Sequence, residues 1–159
     1  MSSGSEPLAR AYGACEALAQ SHYENFPVAS RLLPAFMRPH VAAVYAFARV
    51  ADDIADEGSD PPHVRQARLR AWQQRLHDAV AGPRDDLSVE GRDALIIAAL
   101  GWTIQSLDLP LSFFDDLVSA FGQDTTTTRY ASWDDLLDYC RRSANPIGRL
   151  VLRIEGYRD

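Results

Sequence analysis

Apolar residues recur along this chain at helical spacing, and no stretch alternates with period two for long enough to predict a strand. The pattern therefore predicts one all-α domain over residues 1–159, built from about seven helices. Prolines at first turns, glycines after last turns and breaks rich in Gly and Pro mark the ends of the segments. The predicted helices cover residues 7–20, 28–33, 38–58, 63–81, 92–107, 113–121 and 132–154.

Two of the predicted helix starts carry a serine followed three residues later by an acid, which is typical of a capping box. Ser112 with Asp115 predicts the start of the sixth helix, and Ser132 with Asp135 predicts the start of the last one. Pro146 should kink or break that last helix, because proline lacks the N–H that an interior turn requires.

The segment 38–58 is apolar on nearly every side, yet it carries a narrow polar stripe. Tyr45, Arg49, Asp52 and Asp56 stand at i, i+4, i+7 and i+11, which is one face of a helix. A helix that is apolar all round is normally buried. The pattern thus predicts that two carboxylates and a guanidinium point into the protein or into a cleft within it.

Carboxylates one turn apart can reach the same divalent cation or pair of cations. Mg²⁺ typically takes one or two protein carboxylates and completes its shell with water and phosphate oxygens. Asp52 and Asp56 are therefore candidate Mg²⁺ ligands. The alternative is a solvated acidic helix end that frays into the turn at Gly58.

Net charge and cysteine content limit the kinds of binding partner and the cellular location that can be expected. The 159 residues carry a net charge of −6, and all 16 basic residues are arginine. No basic run is present, which argues against nucleic acid, and an anionic substrate would need a bridging cation. Cys15 and Cys140 provide no disulfide framework, so a reducing cytoplasm is the simplest location. The N-terminus lacks the pattern of a secretory signal, and the longest apolar run, residues 94–104, is too short to span a bilayer.

Two motif blocks resemble those of a known family. Residues 22–58, HYENFPVASRLLPAFMRPHVAAVYAFARVADDIADEG, are similar to the first conserved region of the squalene/phytoene synthase family. Residues 138–152, DYCRRSANPIGRLVL, resemble that family's next conserved helix. Within the family, ENFPVAS and YAFARVADDIADEG are most similar to the hydroxysqualene synthase branch, which uses presqualene diphosphate. The likeness extends over the chain from His22 onward.

The resemblance implies an isoprenoid-synthase-type helical bundle that uses Mg²⁺ and acts on prenyl diphosphates. It makes Asp52 and Asp56 the pair that holds the diphosphate through Mg²⁺. Arg49 would contact a phosphate or orient the acids. Tyr45 would line the reacting end, and Tyr139 would lie near the developing cation.

The resemblance also implies a set of substrate contacts, at Asn25, Phe26, Asp53, Asp124, Ala144, Ile147 and Gly148. Asn25 would touch the diphosphate and Phe26 would form an aromatic wall, while the last three positions would leave room for the prenyl chain. A carbocation needs a dry cavity with aromatic faces. Phe26, Phe47, Tyr45 and Tyr139 are candidates for those faces.

The chain departs from the family in one respect. A second aspartate-rich motif is expected beyond the helix of Tyr139, but the sequence stops at Asp159. The nearby acids Asp134, Asp135 and Asp138 open a helix, where acids favour the positive end of the dipole, and they are interpreted as capping residues. The expectation is an N-terminal portion of a synthase domain, incomplete at its C-terminus.

Three functions remain open at this stage. The leading hypothesis is conversion of presqualene diphosphate to hydroxysqualene, by Mg²⁺-assisted loss of diphosphate and quenching by water. A sibling reaction would join two prenyl diphosphates into presqualene diphosphate or phytoene. A third alternative is a non-catalytic fragment that only binds a prenyl diphosphate. Peripheral contact with the inner face of a membrane is a further hypothesis, and the oligomeric state is left open.

The histidines, the tryptophans and the polar residues of the helix over residues 63–81 are predicted to have structural roles. The histidines lack metal-binding spacing and are predicted to be surface or capping residues: His22, His40, His63 and His77. The tryptophans are predicted to lie in the core or in helix contacts: Trp72, Trp102 and Trp133. The arginines and glutamines of the helix over residues 63–81 are predicted to face water.

Overall fold

The computed structural model describes residues 5–22, 31–83 and 87–158. Within these ranges the chain forms no strand, and the all-α prediction is confirmed. The long helices are α1 (Ser5–His22), α2 (Arg38–Asp56), α3 (Pro62–Ala81), α4 (Arg92–Leu107), α5 (Ser112–Asp124) and α6 (Trp133–Glu155). Residues 31–32 are also helical, and the rest of the short helix predicted over residues 28–33 lies largely outside the described residues.

Helix α2 lies at the centre of the bundle and contacts each of the other five helices. This position explains its apolar composition, and its predicted burial is confirmed at Ala42, Ala43, Val44, Ala46, Phe47, Val50, Ala51 and Ala55. The Phe47 ring stacks on Trp72 of α3 at 5.4 Å between centroids. It also meets the ring of Phe114 of α5 edge-on at 5.7 Å. One aromatic residue therefore joins three helices in the core.

The start of α6 is a complete capping box, as predicted. The Oγ of Ser132 accepts a hydrogen bond from the backbone N–H of Asp135 at 3.1 Å. The Asp135 carboxylate in turn accepts from the backbone N–H of Ser132, also at 3.1 Å. Both donors would otherwise lack a partner inside the helix. The interpretation of Asp135 as a capping acid is thus confirmed.

The start of α5 lies within one residue of its prediction, but the predicted cap and the predicted end were wrong. The helix is preceded by Leu111, which makes no side-chain cap, so Ser112 does not cap it. The Asp115 carboxylate instead accepts from Nε2 of Gln73 at 2.6 Å and contacts Nε2 of His77 at 2.7 Å. At the other end the helix passes through Gly122 and ends at Asp124. Asp115, which the local pattern assigned to a cap, therefore makes a contact between helices instead.

Ser132→Ala is expected to lower the free energy of unfolding by about 1 kcal/mol, because an N-cap hydroxyl would be lost. Chemical denaturation of the two proteins measures this difference. Ser112→Ala is the matched control, since that serine begins a helix without capping it, and it should change stability by less than about 0.5 kcal/mol. Equal losses in the two variants would contradict the assignment of the cap.

Pro146 lies inside α6 and is buried, and the helix continues through it to Glu155. It does not break the helix. The outer face of α6 leaves several apolar side chains exposed, including Leu137 and Leu152. Trp133, at the start of the helix, is 71% exposed, so it does not lie in the core, which was one of the two places predicted for it. Within the described helices, none is long and apolar enough to cross a bilayer.

A group of three polar side chains joins α1, α2 and α4, and sequence patterns did not predict it. The hydroxyl groups of Tyr12 and Thr103 are 2.7 Å apart, and Nδ1 of His40 lies 2.9 Å from the Thr103 hydroxyl. Burial lowers the pKa of His40 and raises the pKa of Tyr12 to about 12. His40 is therefore a half-buried histidine, neutral at neutral pH, and its bond to Thr103 is a role that the surface or capping interpretation did not include.

Candidate functional site

The polar stripe of α2 contains an arginine that pairs with two acids. Nη2 of Arg49 lies 2.7 Å from Oδ1 of Asp53, and Nη1 lies 3.4 Å from Oδ2 of Asp52. The Asp52 side chain is 38% exposed and that of Asp53 is 21% exposed. Asp56, one turn further on, is exposed. The sequence pattern predicted that these groups point into the protein or into a cleft within it. The structure leaves Asp52 and Asp53 half-buried and Asp56 exposed, so the stripe lies along a partly open surface of the bundle.

A further carboxylate comes from another helix. Asp124 is the last residue of α5, and its Oδ2 accepts a hydrogen bond from the hydroxyl group of Tyr139 on α6 at 2.8 Å. The negative charges of Asp56 and Asp124 both act on Asp52. The ends of α2 and α5 and the first turns of α6 therefore bring Asp52, Asp56, Asp124 and Tyr139 to one site, which we call the acidic site.

Burial and mutual repulsion shape the titration of this site. Burial raises the pKa of Asp52, and the neighbouring charge of Asp56 raises it further, while Arg49 acts in the opposite direction. Burial also raises the pKa of Asp124, and the hydrogen bond from Tyr139 partly offsets that shift. Carboxylates that repel one another in a partly dehydrated site favour the binding of a cation.

The composition of the acidic site fits Mg²⁺. Its donors are hard carboxylate oxygens, the ligands that this ion prefers. Across residues 5–22, 31–83 and 87–158, no three acid, histidine or cysteine side chains are close enough to form a complete metal-binding set. Mg²⁺ commonly uses one or two carboxylates and keeps water or phosphate oxygens for the rest of its shell. Asp52 and Asp56 would supply these one or two carboxylate ligands.

An unused hydrogen-bond donor also lies beside the acids. Nε of Arg49 is buried and has no hydrogen-bond partner among the described residues. Buried donors are normally satisfied, and an oxygen of a bound anion is a suitable acceptor. Nε is closed to solvent, so a phosphate group held by a cation at the acidic site would bond to it only after the Arg49 side chain turns.

Tyr139 is held as a neutral phenol. Burial raises its pKa well above the usual range, and the hydrogen bond to the Asp124 carboxylate raises it further. Its ring lies 5.4 Å from the ring of Tyr130, measured between centroids. Tyr139 is therefore uncharged at neutral pH, and its hydroxyl group donates to the Asp124 carboxylate.

Arg142 of α6 is a neighbour of the site that sequence reasoning missed. Its Nε donates to Oδ2 of Asp138 at 3.0 Å, and its Nη1 donates to the hydroxyl oxygen of Ser119 at 3.0 Å. Its Nη2 donates to the side-chain oxygen of Gln123. These bonds connect α6 to the last turns of α5, and the charge of Arg142 partly offsets the rise in the pKa of Asp124.

The remaining predicted site residues fall in several places. Tyr45 is half-buried on the same stripe as Arg49. Asn25 and Phe26 lie outside the described residues. Phe47 was wrongly assigned to an aromatic face of the site, because it is fully buried between Trp72 and Phe114.

Three small or apolar positions of α6 were predicted to leave room for a prenyl chain. Ala144 and Gly148 are exposed, and Ile147 is half-buried against the core. The space beside Gly148 is open, since an added Cβ would meet no atom within 4 Å. The role of these residues stays a prediction.

Tyr139→Phe should raise the pKa of Asp124 further, because the variant loses the hydrogen bond that stabilises its carboxylate. Carbon-detected NMR titration of the aspartate carboxyl groups measures this shift. Tyr130→Phe is a matched control, since its ring lies beside Tyr139 and no hydrogen bond joins it to Asp124 within the described residues. An unchanged Asp124 titration in Tyr139→Phe would show that the bond does not form in solution.

The fold and the site together define a protein class. An all-α bundle with carboxylates at the ends of two helices, beside an arginine and a tyrosine, is an isoprenoid-synthase-type structure. The sequence profile of the squalene/phytoene synthase family matches residues 19–159. The chain belongs to that family.

Named relatives come from two branches. Hydroxysqualene synthase of Zymomonas mobilis subsp. mobilis is 38% identical over 137 residues, covering 82% of this chain and 41% of that protein. The 15-cis-phytoene synthase of Synechococcus elongatus is 29% identical over 150 residues, covering 94% of this chain and 46% of that protein. This chain thus spans less than half the length of these curated relatives.

A solved structure supports the same assignment. The crystal structure of squalene synthase HpnC from Alicyclobacillus acidocaldarius superposes with a TM-score of 0.82 at 40% sequence identity. The alignment covers 96% of this chain and 54% of that one. The predicted isoprenoid-synthase-type bundle is therefore confirmed over the length that the two chains share.

Proposed function

We propose that the acidic site binds the diphosphate group of a prenyl diphosphate through Mg²⁺. The observation that carries this proposal is that the negative charges of Asp56 and Asp124 both act on Asp52, which also pairs with Arg49. Asp52 and Asp56 would hold the cation, and Arg49 would bind a phosphate oxygen or orient the acids. Asp53 stays paired with Arg49 and sets its position.

The reaction we propose is conversion of presqualene diphosphate to hydroxysqualene. The support is the name of the relatives at 38% and 34% identity, both hydroxysqualene synthases. Mg²⁺ would stabilise the negative charge that develops on the departing diphosphate. Tyr139, kept neutral by burial and by the Asp124 carboxylate, would offer its ring to the developing cation. Tyr45 would line the reacting end.

Two alternatives remain. The similarity to a 15-cis-phytoene synthase over 94% of this chain favours a sibling reaction that joins two prenyl diphosphates. The other alternative is binding of a prenyl diphosphate without turnover. A cytoplasmic location and peripheral contact with a membrane stay predictions.

One assay separates these functions. The chain is incubated with presqualene diphosphate and Mg²⁺, and hydroxysqualene and free diphosphate are measured in parallel. Equal amounts of both, lost in Asp52→Asn, support the proposed reaction. Mg²⁺-dependent binding without product supports the binding-only alternative. Binding that ignores both Mg²⁺ and Asp52→Asn would refute the site itself.

A further inference from the structure

Arg65, on the second turn of α3, bonds to the end of the helix that carries the first acids. Its Nη1 donates to the backbone oxygen of Ala55 at 3.0 Å, and its Nη2 donates to the backbone oxygen of Gly58 at 2.9 Å. Carbonyl groups in the last turn of a helix have no partner within that helix and carry partial negative charge. Arg65 therefore caps α2 from another helix, next to Asp56.

Gln66, the following residue, bonds to the end of the helix that carries the other acid. Its Nε2 donates to the hydroxyl oxygen of Thr125 at 3.0 Å and lies 3.5 Å from the backbone oxygen of Gly122. Thr125 follows Asp124 directly, and its hydroxyl group donates to the same Gly122 oxygen at 2.7 Å. Gln66 therefore holds the last turn of α5, where Asp124 stands.

We infer that Arg65 and Gln66 are positioning residues that set the separation of Asp56 from Asp124 and so tune cation binding at the acidic site. Adjacent residues of one rigid helix hold the ends of two others, and each held end presents an acid to the same site. Mutual repulsion between the acids pushes these ends apart, so a fixed spacing needs such a restraint. The inference rests on the proposed function, because it concerns the same cation.

Both residues were predicted to face water, and both are half-buried. The two terminal nitrogens of Arg65 bond to the end of α2, and its buried Nε has no partner among the described residues. The Arg65 guanidinium therefore bonds to the end of α2 and to the turn that follows it. Loss of residues that orient metal ligands typically weakens metal affinity by about 10- to 100-fold.

The test uses inorganic pyrophosphate and Mg²⁺ as probes, with affinity measured by isothermal titration calorimetry. Gln66→Ala should weaken Mg²⁺-dependent pyrophosphate binding by about tenfold, at the low end of the range for orienting residues. This variant leaves the Thr125 hydroxyl bonded to Gly122, so the chain is expected to fold. Arg65→Lys should weaken binding less than Arg65→Met, because one lysine can reach only one of the two carbonyl groups.

Gln105→Ala is the matched control. Its Nε2 also links two helices, donating from α4 to the backbone oxygens of Val80 and Gly82 at 2.8 and 3.3 Å, at the end of α3. It should lose comparable thermal stability while keeping the affinity of the unsubstituted chain. An equal loss of affinity in Gln105→Ala would overturn the inference, because affinity would then follow stability alone.

Two further outcomes are distinguishable. If Gln66→Ala binds as tightly as the unsubstituted chain while Asp52→Asn does not bind, the positioning role is refuted and the proposed function stands. If the unsubstituted chain shows no Mg²⁺-dependent binding of pyrophosphate, the proposed function fails and the inference fails with it.

Discussion

Asp52→Asn is expected to weaken Mg²⁺-dependent pyrophosphate binding by at least tenfold while making the folded chain more stable at neutral pH. Affinity falls because an amide is a poor ligand for a hard cation. Stability rises because the substitution removes a negative charge that is partly buried and is repelled by the neighbouring acids. Calorimetric titration measures the first effect and thermal unfolding in the absence of metal measures the second. Opposite signs are expected of a residue that binds a ligand at the expense of stability.

The pH dependence of this gain follows from the direction of the shift. Because the pKa of Asp52 is higher in the folded chain than in the unfolded one, stability falls as pH rises through the interval between the two values. The variant should therefore gain about 1 kcal/mol or less at pH 7, since the side chain is 38% exposed and screened by water. Below about pH 3.9, the ordinary aspartate pKa, the gain should vanish.

Asp53→Asn is the matched control for this experiment. Asp53 forms the shorter ion pair with Arg49, at 2.7 Å, and its loss should lower stability at neutral pH. A stabilised Asp53→Asn, or a destabilised Asp52→Asn, would contradict the distribution of charge described for α2.

Phe47→Ala is expected to lower the free energy of unfolding by about 3–5 kcal/mol, the range for deleting a fully buried aromatic ring. The ring is 0% exposed and packs against Trp72 and Phe114, so its removal leaves a cavity where three helices meet. Such a loss is a large share of the stability of an ordinary domain. Urea denaturation, followed by circular dichroism, measures it.

Trp133→Ala provides the comparison for Phe47→Ala. The Trp133 side chain is 71% exposed at the start of α6, and its removal should change stability by no more than about 0.5 kcal/mol. Equal losses for Phe47→Ala and Trp133→Ala would mean that α2 is not the centre of the core.

The burial of α2 could be predicted from the sequence because its polar residues are confined to one stripe. A helix that is apolar on every side except one narrow stripe is stable only when other helices cover its apolar sides. The start of α2 at Arg38, next to Pro39, and the cap of α6 at Ser132 could also be predicted, since proline and capping residues act through local geometry. The solvent exposure of the polar stripe could not be predicted from the sequence, because it depends on which helices pack beside α2.

The rest of the acidic site depends on contacts between distant residues. Asp124 and Tyr139 were implied by family resemblance alone, since a bond between two helices leaves no periodic signal in a sequence. Arg65, Gln66 and Arg142 were missed for a related reason. Long polar side chains on a helix surface are usually solvated, and only the neighbouring helix ends show that these three have partners.

The ends of α5 show how a tertiary contact can override a local signal. Ser112 and Asp115 match a capping box, yet Asp115 bonds to Gln73 and His77 of α3. Gly122 matches a helix end, but the next turn is held by Thr125 and Gln66. Local preferences of about 1 kcal/mol are readily outweighed by such packing.

The central claim is that a divalent cation binds between the ends of α2 and α5, and paramagnetic NMR tests it most directly. Mn²⁺ can replace Mg²⁺ at oxygen ligands and broadens the signals of nearby nuclei. With inorganic pyrophosphate present, substoichiometric Mn²⁺ should broaden the backbone signals of Asp52, Asp56 and Asp124 first. Broadening that begins at Asp134 and Asp138, or that is unchanged in Asp52→Asn, would contradict the account.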